Sequence, residues 1–552
     1  VKHAGPLAFL AATAVTLVAS RARAATIHVT PADTYAKIEG ANAGDEVIVA
    51  PGTYAFRVYL TKQAPASAPI HIHAEDPANP PVWDPGTTLV ENTPGSYGGG
   101  DKGRGCWQVS GGTNYVIEGI VFTHCRTASN NSAGIRYYNG ASGLVVRSCV
   151  FRDNDDGMTG GTQDSEATVE FCEFDHNGNT SASSSAPTHN LYIYGGTFTL
   201  RYSYVHDPAQ AQNFHIRAKT ALIESNWFAR AASYEGDLMT DDDYAGGSTF
   251  AQSIVLRGNV FVQGTTQANT GQIFVLYNDT GASGLTLSAH VLYNTLVGAG
   301  GHAAFVHLSN ADGTPMQAQV DDNVVSGTSV PVLVEDASHA TVSGTHNWLA
   351  TGAAAGALAG SVVGSAPGFA NPTASDFHLA PGSACIGGAS VAGVADLPGT
   401  EYWEDETVTR QYRVRSTVLD IGAFESTTSG PGIGPGAAVP TGDGGATSTG
   451  DGGVTPAADG GTPGAADASA AGAGGDASGG GAPGDASGAG GAPGDGAAGS
   501  SGGASGSSGG CACDLATPHG RASAPGAALA ALVLLAARRR RRAGSRVLAG
   551  TG

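Results

Sequence analysis

Between His189 and Asp243 the chain gathers the residue types that carry acid–base chemistry. Two phrases in this stretch, LYIYGGTFTLRYSYVHD and FHIRAKTALIESNWFAR, superimpose on a slide of 23 residues. Leu191 then falls on Phe214, Tyr192 on His215, Ile193 on Ile216 and Tyr194 on Arg217. Alternate side chains of a strand face opposite ways. Leu191, Ile193, Phe214 and Ile216 therefore point into a core, and Tyr192, Tyr194, His215 and Arg217 point outward. Arginine forks pair with carboxylates and aromatic faces pack on sugar rings, so such a surface suits an anionic sugar chain. On a uronate polymer the set supports β-elimination, which requires a cation on the carboxylate, a base for the C5 proton and an acid for the leaving oxygen. Arg217 would neutralise, His215 or Lys219 would be the base, and Tyr192 or Tyr194 would donate. Arg136, Tyr138, His189, Tyr194 and His206 are the candidate substrate contacts. Glu235, Asp237 and Asp241 offer clustered oxygens of the kind Ca²⁺ takes, although without EF-hand spacing, so a solvated acidic loop is the competing reading.

These residues must be placed by a repeat. The phrases YVIEGIVFTH, LVVRSCVFRD, ATVEFCEFDH, FTLRYSYVHD, ALIESNWFAR, IVLRGNVFVQ, AQVDDNVVSG and ATVSGTHNWL share one plan of inward apolar residues, a small or Asn-like residue and a polar exit. Aligned, they put Ile120, Cys149, Cys172, Ser203, Asn226, Asn259 and Asn323 in one column. A unit of roughly 20–30 residues with insertions at one place marks a solenoid, whose coils are each too small to bury a core alone. Asn226 and Asn259 then read as stacked, hydrogen-bonded amides. Cys149 and Cys172 read as stacked buried thiols, and Cys106 and Cys125 as one candidate disulfide among several connectivities. In later coils the outward positions are expected at Phe274, Leu276 and Phe305 or its neighbours.

With 552 residues, 84 of them glycine, and only 13% charged, the composition favours β-structure with many turns over a helical bundle. A net charge of −20 argues against a nucleic-acid binder. Seven cysteines are too few to make the fold depend on disulfides. Residues 1–24 read as a signal peptide, residues 25–426 as the solenoid and residues 427–510 as a disordered Gly/Ala/Asp/Pro stalk. Residues 511–552 carry Cys511, Cys513, a short apolar run and Arg538 to Arg542. The expectation is an exported, monomeric protein held at the cell surface.

The N-terminal phrases Gly44-Asp45, Gly52-Thr53-Tyr54 and Ala68-Pro69-Ile70 resemble the first coils of right-handed parallel β-helix polysaccharide lyases, the group of chondroitinase B and alginate lyase. The resemblance implies an all-β fold, a right-handed single-stranded parallel β-helix, with a short capping helix within Asp33 to Ala41. Phe377 to Ser390 and Leu419 to Glu425 resemble the closing coils of secreted β-helix proteins. His189 to Ile193, Ser203 to His206, Arg217-Ala218 and Ser233 to Asp237 resemble a group of secreted relatives of these lyases, with His215 standing where that pattern usually has Lys. The last forty or so residues resemble the myxobacterial C-terminal sorting tag, implying attachment to the cell envelope. Two further readings stand beside the lyase. One is a non-catalytic polysaccharide-binding adhesin. The other is a polygalacturonase-like hydrolase using Asp153, Asp155 and Asp156, against which the missing Gly-His-Gly phrase counts.

Overall fold

The computed structural model describes residues 24–97, 104–181, 187–240, 250–264, 272–278, 284–299, 304–390, 397–402, 411–415, 419–426 and 432–435. The expected leader before Ala24, Asp241 to Asp243, most of the expected stalk and all residues from Cys511 onward lie outside the described residues.

The slide of 23 residues is a ladder in space. Strands Leu191–Arg201 and Phe214–Glu224 pair in parallel, with Leu191 opposite Phe214, Tyr192 opposite His215, Ile193 opposite Ile216 and Tyr194 opposite Arg217. The same pairing recurs along the chain and builds a 21-stranded and a 12-stranded parallel sheet. Each coil crosses the large sheet on two faces and the smaller sheet on a third, giving the expected right-handed parallel β-helix. A short helix, Tyr35–Glu39, lies at the N-terminal end.

Like residues stack inside because successive coils repeat the same position. Phe122, Phe151 and Phe174 lie face to face with centroids 5.1 and 4.7 Å apart. Asn226 Nδ2 donates to Asn259 Oδ1 at 3.0 Å, and the ladder continues through Asn294 and Asn323 to Asn347. Each amide also donates to a backbone carbonyl of a preceding coil, so a buried polar column is satisfied along its length. Cys149 and Cys172 are buried thiols outside any disulfide, and Cys106 and Cys125 form a disulfide.

A second column alternates in charge. Glu118, Arg147, Glu170, Arg201, Glu224 and Arg257 stand opposite one another on successive strands. Glu170 accepts from Arg147 Nε at 2.6 Å and from Arg201 Nε at 2.8 Å, and Arg257 Nε donates to Glu224 at 2.9 Å. A slip of one coil in pairing order would set like charges opposite each other, so the column specifies which coil stacks on which.

Two expectations are corrected. Phe274 and Leu276 face inward, because Phe274 stands opposite Gly236 and Leu276 opposite Leu238; the outward residue after Asp237 is Val275. Phe305 is also fully buried. The step from Gly236 to Phe274 is 274 − 236 = 38 residues, against 22 and 23 in the two coils before it, so facing cannot be carried over by repeat length. The segments expected to close the solenoid as coils instead lie along its third face. Phe377, Tyr402 and Phe424 pack on the outward residues Tyr204, Trp227 and Val260, while Leu379, Cys385 and Ile421 pack on Val324 and Trp348. That face carries large apolar side chains outward, so a strap has to cover it. Beyond Ser426, Ile433 bridges to Tyr412, so folded chain reaches past residue 426.

Candidate functional site

Three successive coils present the same six positions, starting at His189, Gln212 and Tyr234. The second position forms a buried polar ladder: Asn190 donates to Asn213 at 2.9 Å, and Asn213 donates to Glu235 Oε2 at 2.7 Å. The third and fifth positions fill the core. At the third position of the last coil only glycine fits, since a Cβ on Gly236 would lie 2.0 Å from the Phe214 ring. The fourth and sixth positions face outward, and the fourth brings Tyr192, His215 and Asp237 side by side.

His215 Nδ1 lies 3.2 Å from Asp237 Oδ2. The Tyr192 ring stands nearly perpendicular to the His215 ring, centroids 4.6 Å apart, and the His189 ring lies 4.8 Å from His215 and 5.4 Å from Tyr192. Arg217 Nη1 donates to the Tyr192 hydroxyl at 3.4 Å, and its Nε donates to the Thr240 carbonyl at 3.1 Å. Asp156 joins from an earlier coil, accepting the His189 backbone N–H at 2.7 Å. Although these residues point away from the core, they are sunken: His215 is 8% exposed and Arg217 7%.

Five buried polar atoms on this face have no hydrogen-bond partner: Asp156 Oδ2, His189 Nδ1, Gln212 Oε1, His215 Nε2 and Asp237 Oδ1. An unsatisfied buried polar atom costs about 1–3 kcal/mol, so five on one face mark a surface suited to receive polar groups from elsewhere. Burial, reinforced by Arg217, holds the His215 imidazole well below the ordinary histidine range. Burial does the same to His189, with His215 and Arg217 adding to it. Burial pushes the Asp237 carboxyl well above its usual range, against the pull of Arg217 and Gln212. Burial likewise raises Tyr192, with Arg217 opposing. The outcome is a neutral imidazole whose Nδ1 faces a carboxyl group and whose Nε2 is open, beside a protonated tyrosine held by an arginine.

The other sequence candidates are distributed unequally. Tyr194 belongs to the cluster's edge, its ring 5.7 Å from Tyr192. Arg136 lies on the same face, opposite Thr159, which is opposite Tyr192; that is roughly 10 Å away at two strand spacings. Its guanidinium sits 4.4 Å over the Tyr138 ring. Lys219 is exposed, beyond the outward run that ends at Arg217, near the bend between two faces. His206 is not on this face: it stands on the third face, opposite Asp175.

The proposed Ca²⁺ set does not fit. Glu235 is fully buried, its Oε2 occupied by Asn213 and its Oε1 by the Ala231 N–H, and Asp237 is turned to His215. Asp241 lies outside the described residues. Among the hydrolase candidates, Asp155 is held by the N–H groups of Thr127 and Ser132 and by the Asn179 amide. Asp156 and Asp237 are three strand spacings apart, roughly 14 Å, beyond the reach of a glycosidase carboxylate pair. Gln212 was not singled out as a site residue in the sequence, and Asp156 was singled out only for the hydrolase reading. Extending the overlay by two residues towards the N-terminus sets Gln212 under His189.

No family model matches the chain, and no curated protein matches it. Among solved structures it is similar to pectate lyase Pel9A, at 14% identity over 73% of this chain and 96% of that one, with a TM-score of 0.46. It is also similar to an alginate lyase from Paenibacillus sp. strain FPU-7, at 15% identity over 57% and 97% of the two chains, TM-score 0.39. A third is a GH87 alpha-1,3-glucanase from Streptomyces thermodiastaticus strain HF3-3, at 14% identity over 58% and 68%, TM-score 0.37. These are likenesses of fold, and no residue role is carried over from them.

Proposed function

We propose that the first face of this β-helix binds acidic, uronate-containing polysaccharide and cleaves it by β-elimination. The observation that carries the proposal is His215: a buried imidazole with a carboxyl group at Nδ1, an unpartnered Nε2, and an arginine-held tyrosine against its ring. Asp237 Oδ2 accepts a hydrogen bond from Nδ1–H, which keeps the ring proton on Nδ1 and the lone pair on Nε2. Arg217 pairs with the uronate carboxylate, which draws charge from C5 as its proton leaves. His215 Nε2 takes that proton, the C5–H electron pair becomes the C4=C5 double bond, and the C4–O bond breaks. The departing oxygen takes the Tyr192 hydroxyl proton. Tyr192 accepts from Arg217, so its own proton is free to be donated. His215 then returns its proton to the tyrosinate. Lys219, the other candidate base, lies past this cluster and takes no part. Arg136 and Tyr138 would contact sugar units further along the face.

The full chain incubated with alginate, pectate and chondroitin should release products absorbing in the ultraviolet from the new double bond. His215→Ala and Tyr192→Phe should not. Glycan binding with no fall in polymer length on any of the three would replace the lyase with an adhesin. We further propose that the protein works outside the cell, attached through its C-terminal tag; fractionation of cells producing it, with detection in the cytoplasm alone, would refute this.

A further inference from the structure

We propose that Glu173, Asp175 and His206 hold a divalent transition-metal ion of the zinc class on the third face, away from the cluster around His215. Strands Glu173–Asp175 and Tyr204–His206 pair in parallel, with Asp175 opposite His206 and Glu173 opposite Tyr204. Glu173 and Asp175 are two residues apart and share the outward side, with Phe174 in the core between them. One ligand atom from each of the three residues lies within 4.8 Å of the others. Small rotamer changes bring such atoms onto the ~2.0–2.2 Å sphere that zinc requires of nitrogen and oxygen ligands.

The independent sign is His206 itself. The residue is 8% exposed, and its Nε2 has no hydrogen-bond partner while facing Glu173 Oε1 at 3.5 Å. Its other nitrogen, Nδ1, lies 2.8 Å from Asp207 Oδ2 and 3.5 Å from Asp175 Oδ1, and Asp207 is gripped by Arg230 at 2.8 and 2.7 Å. A ligating histidine characteristically donates its second N–H to a carboxylate, which fixes tautomer and ring orientation. Tyr204, stacked on the imidazole at 3.8 Å, fixes the ring plane. Arg230 is bound to Asp207 and Tyr204, His176 bonds Asp175, and Arg152, opposite Asp175 on the preceding strand, is exposed with no ion pair among the described residues. One imidazole with two carboxylates suits zinc and not Ca²⁺, which takes six to eight oxygens. Tyr204 also packs into the apolar seam under the C-terminal strap, so the ion would clip two coils together where the strap meets them.

The test uses the full chain stripped with chelator, then titrated separately with Zn²⁺, Co²⁺ and Ca²⁺. About one Zn²⁺ should bind per chain, Co²⁺ should give the visible absorption of a four-coordinate site, and Zn²⁺ at a hundredfold excess over Kd should raise Tm by about 3 °C. Glu173→Gln and His206→Gln should each weaken Zn²⁺ binding at least ~10-fold. If His206→Gln fails to fold, Glu173→Gln decides. Absence of Zn²⁺ binding by the wild type, unchanged binding in Glu173→Gln, or Ca²⁺ binding in place of Zn²⁺ overturns the proposal.

Discussion

His215 and Asp237 meet at 3.2 Å although 22 residues separate them, because one coil of the solenoid sets them on neighbouring strands. Asp237→Asn tests what that contact does. An amide N–H aimed at Nδ1 forces the ring proton onto Nε2 and removes the base. kcat should fall by ~10²–10⁴ with KM changed little. A fall confined to KM would mean that Asp237 only shapes the binding surface.

The pH profile follows from the same burial. The imidazole is held well below the ordinary histidine range, so its neutral form persists below the usual value of 6.5. kcat/KM should therefore stay level as pH drops through 6.5 and decline only at lower pH, as the coupled pair takes up its extra proton. An acid limb centred above neutrality would remove His215 from the role of base.

Arg217→Lys keeps the charge and loses the planar fork. On a free-acid polymer kcat/KM should drop by ~10²–10³, and on its methyl ester by clearly less, because the ester has no carboxylate to neutralise. Equal losses on the two substrates would show that Arg217 does not face the uronate.

Glu235 ends the polar ladder beneath the site, and burial pushes its carboxyl up to about 7. Its folded value lies above the unfolded 4.5, so its contribution is fully present below pH 4.5 and is lost as pH rises through about 7. The loss amounts to about 3 kcal/mol for a fully buried group. Glu235→Gln should lack this slope, so the gap in stability between the two proteins should change across those pH values. Urea midpoints of both proteins across the range measure it, and parallel curves would disprove the assignment.

Glu170 is sandwiched between Arg147 and Arg201 with 2% of its side chain exposed. Glu170→Gln should cost about 1–3 kcal/mol, since two partly exposed guanidinium groups lose their shared partner. Denaturant unfolding of the variant at low and high salt checks this; the same midpoint as the wild type would show that the column adds no stability.

Much of this was legible before any coordinates. A side-chain period of two makes a one-residue slip turn the core outward, so two aligned apolar phrases set the register of their strands. That is why the overlay of Leu191 on Phe214 is reproduced residue for residue. The Glu–Arg alternation was readable in the same way, at the fourth position of YVIE, LVVR, ATVE, FTLR, ALIE and IVLR, as was the Asn ladder.

What the amino-acid sequence determined by itself is therefore the local alternation and the repeat step: a parallel solenoid, its core column, and an outward row holding Tyr192, His215 and Arg217. Tertiary structure decided everything that depends on path between repeats. The step to the next coil lengthens to 274 − 236 = 38 residues, so the repeat length could not place Phe274 and Leu276, which face inward. His206 went to the third face, since a coil turns between Arg201 and Tyr204. The strap lay along the coils because Trp227 and its neighbours needed cover. Convergence was decided last. Asp156, His189, His215 and Asp237 come from four coils, and only stacking at strand spacing lines them up along one buried face.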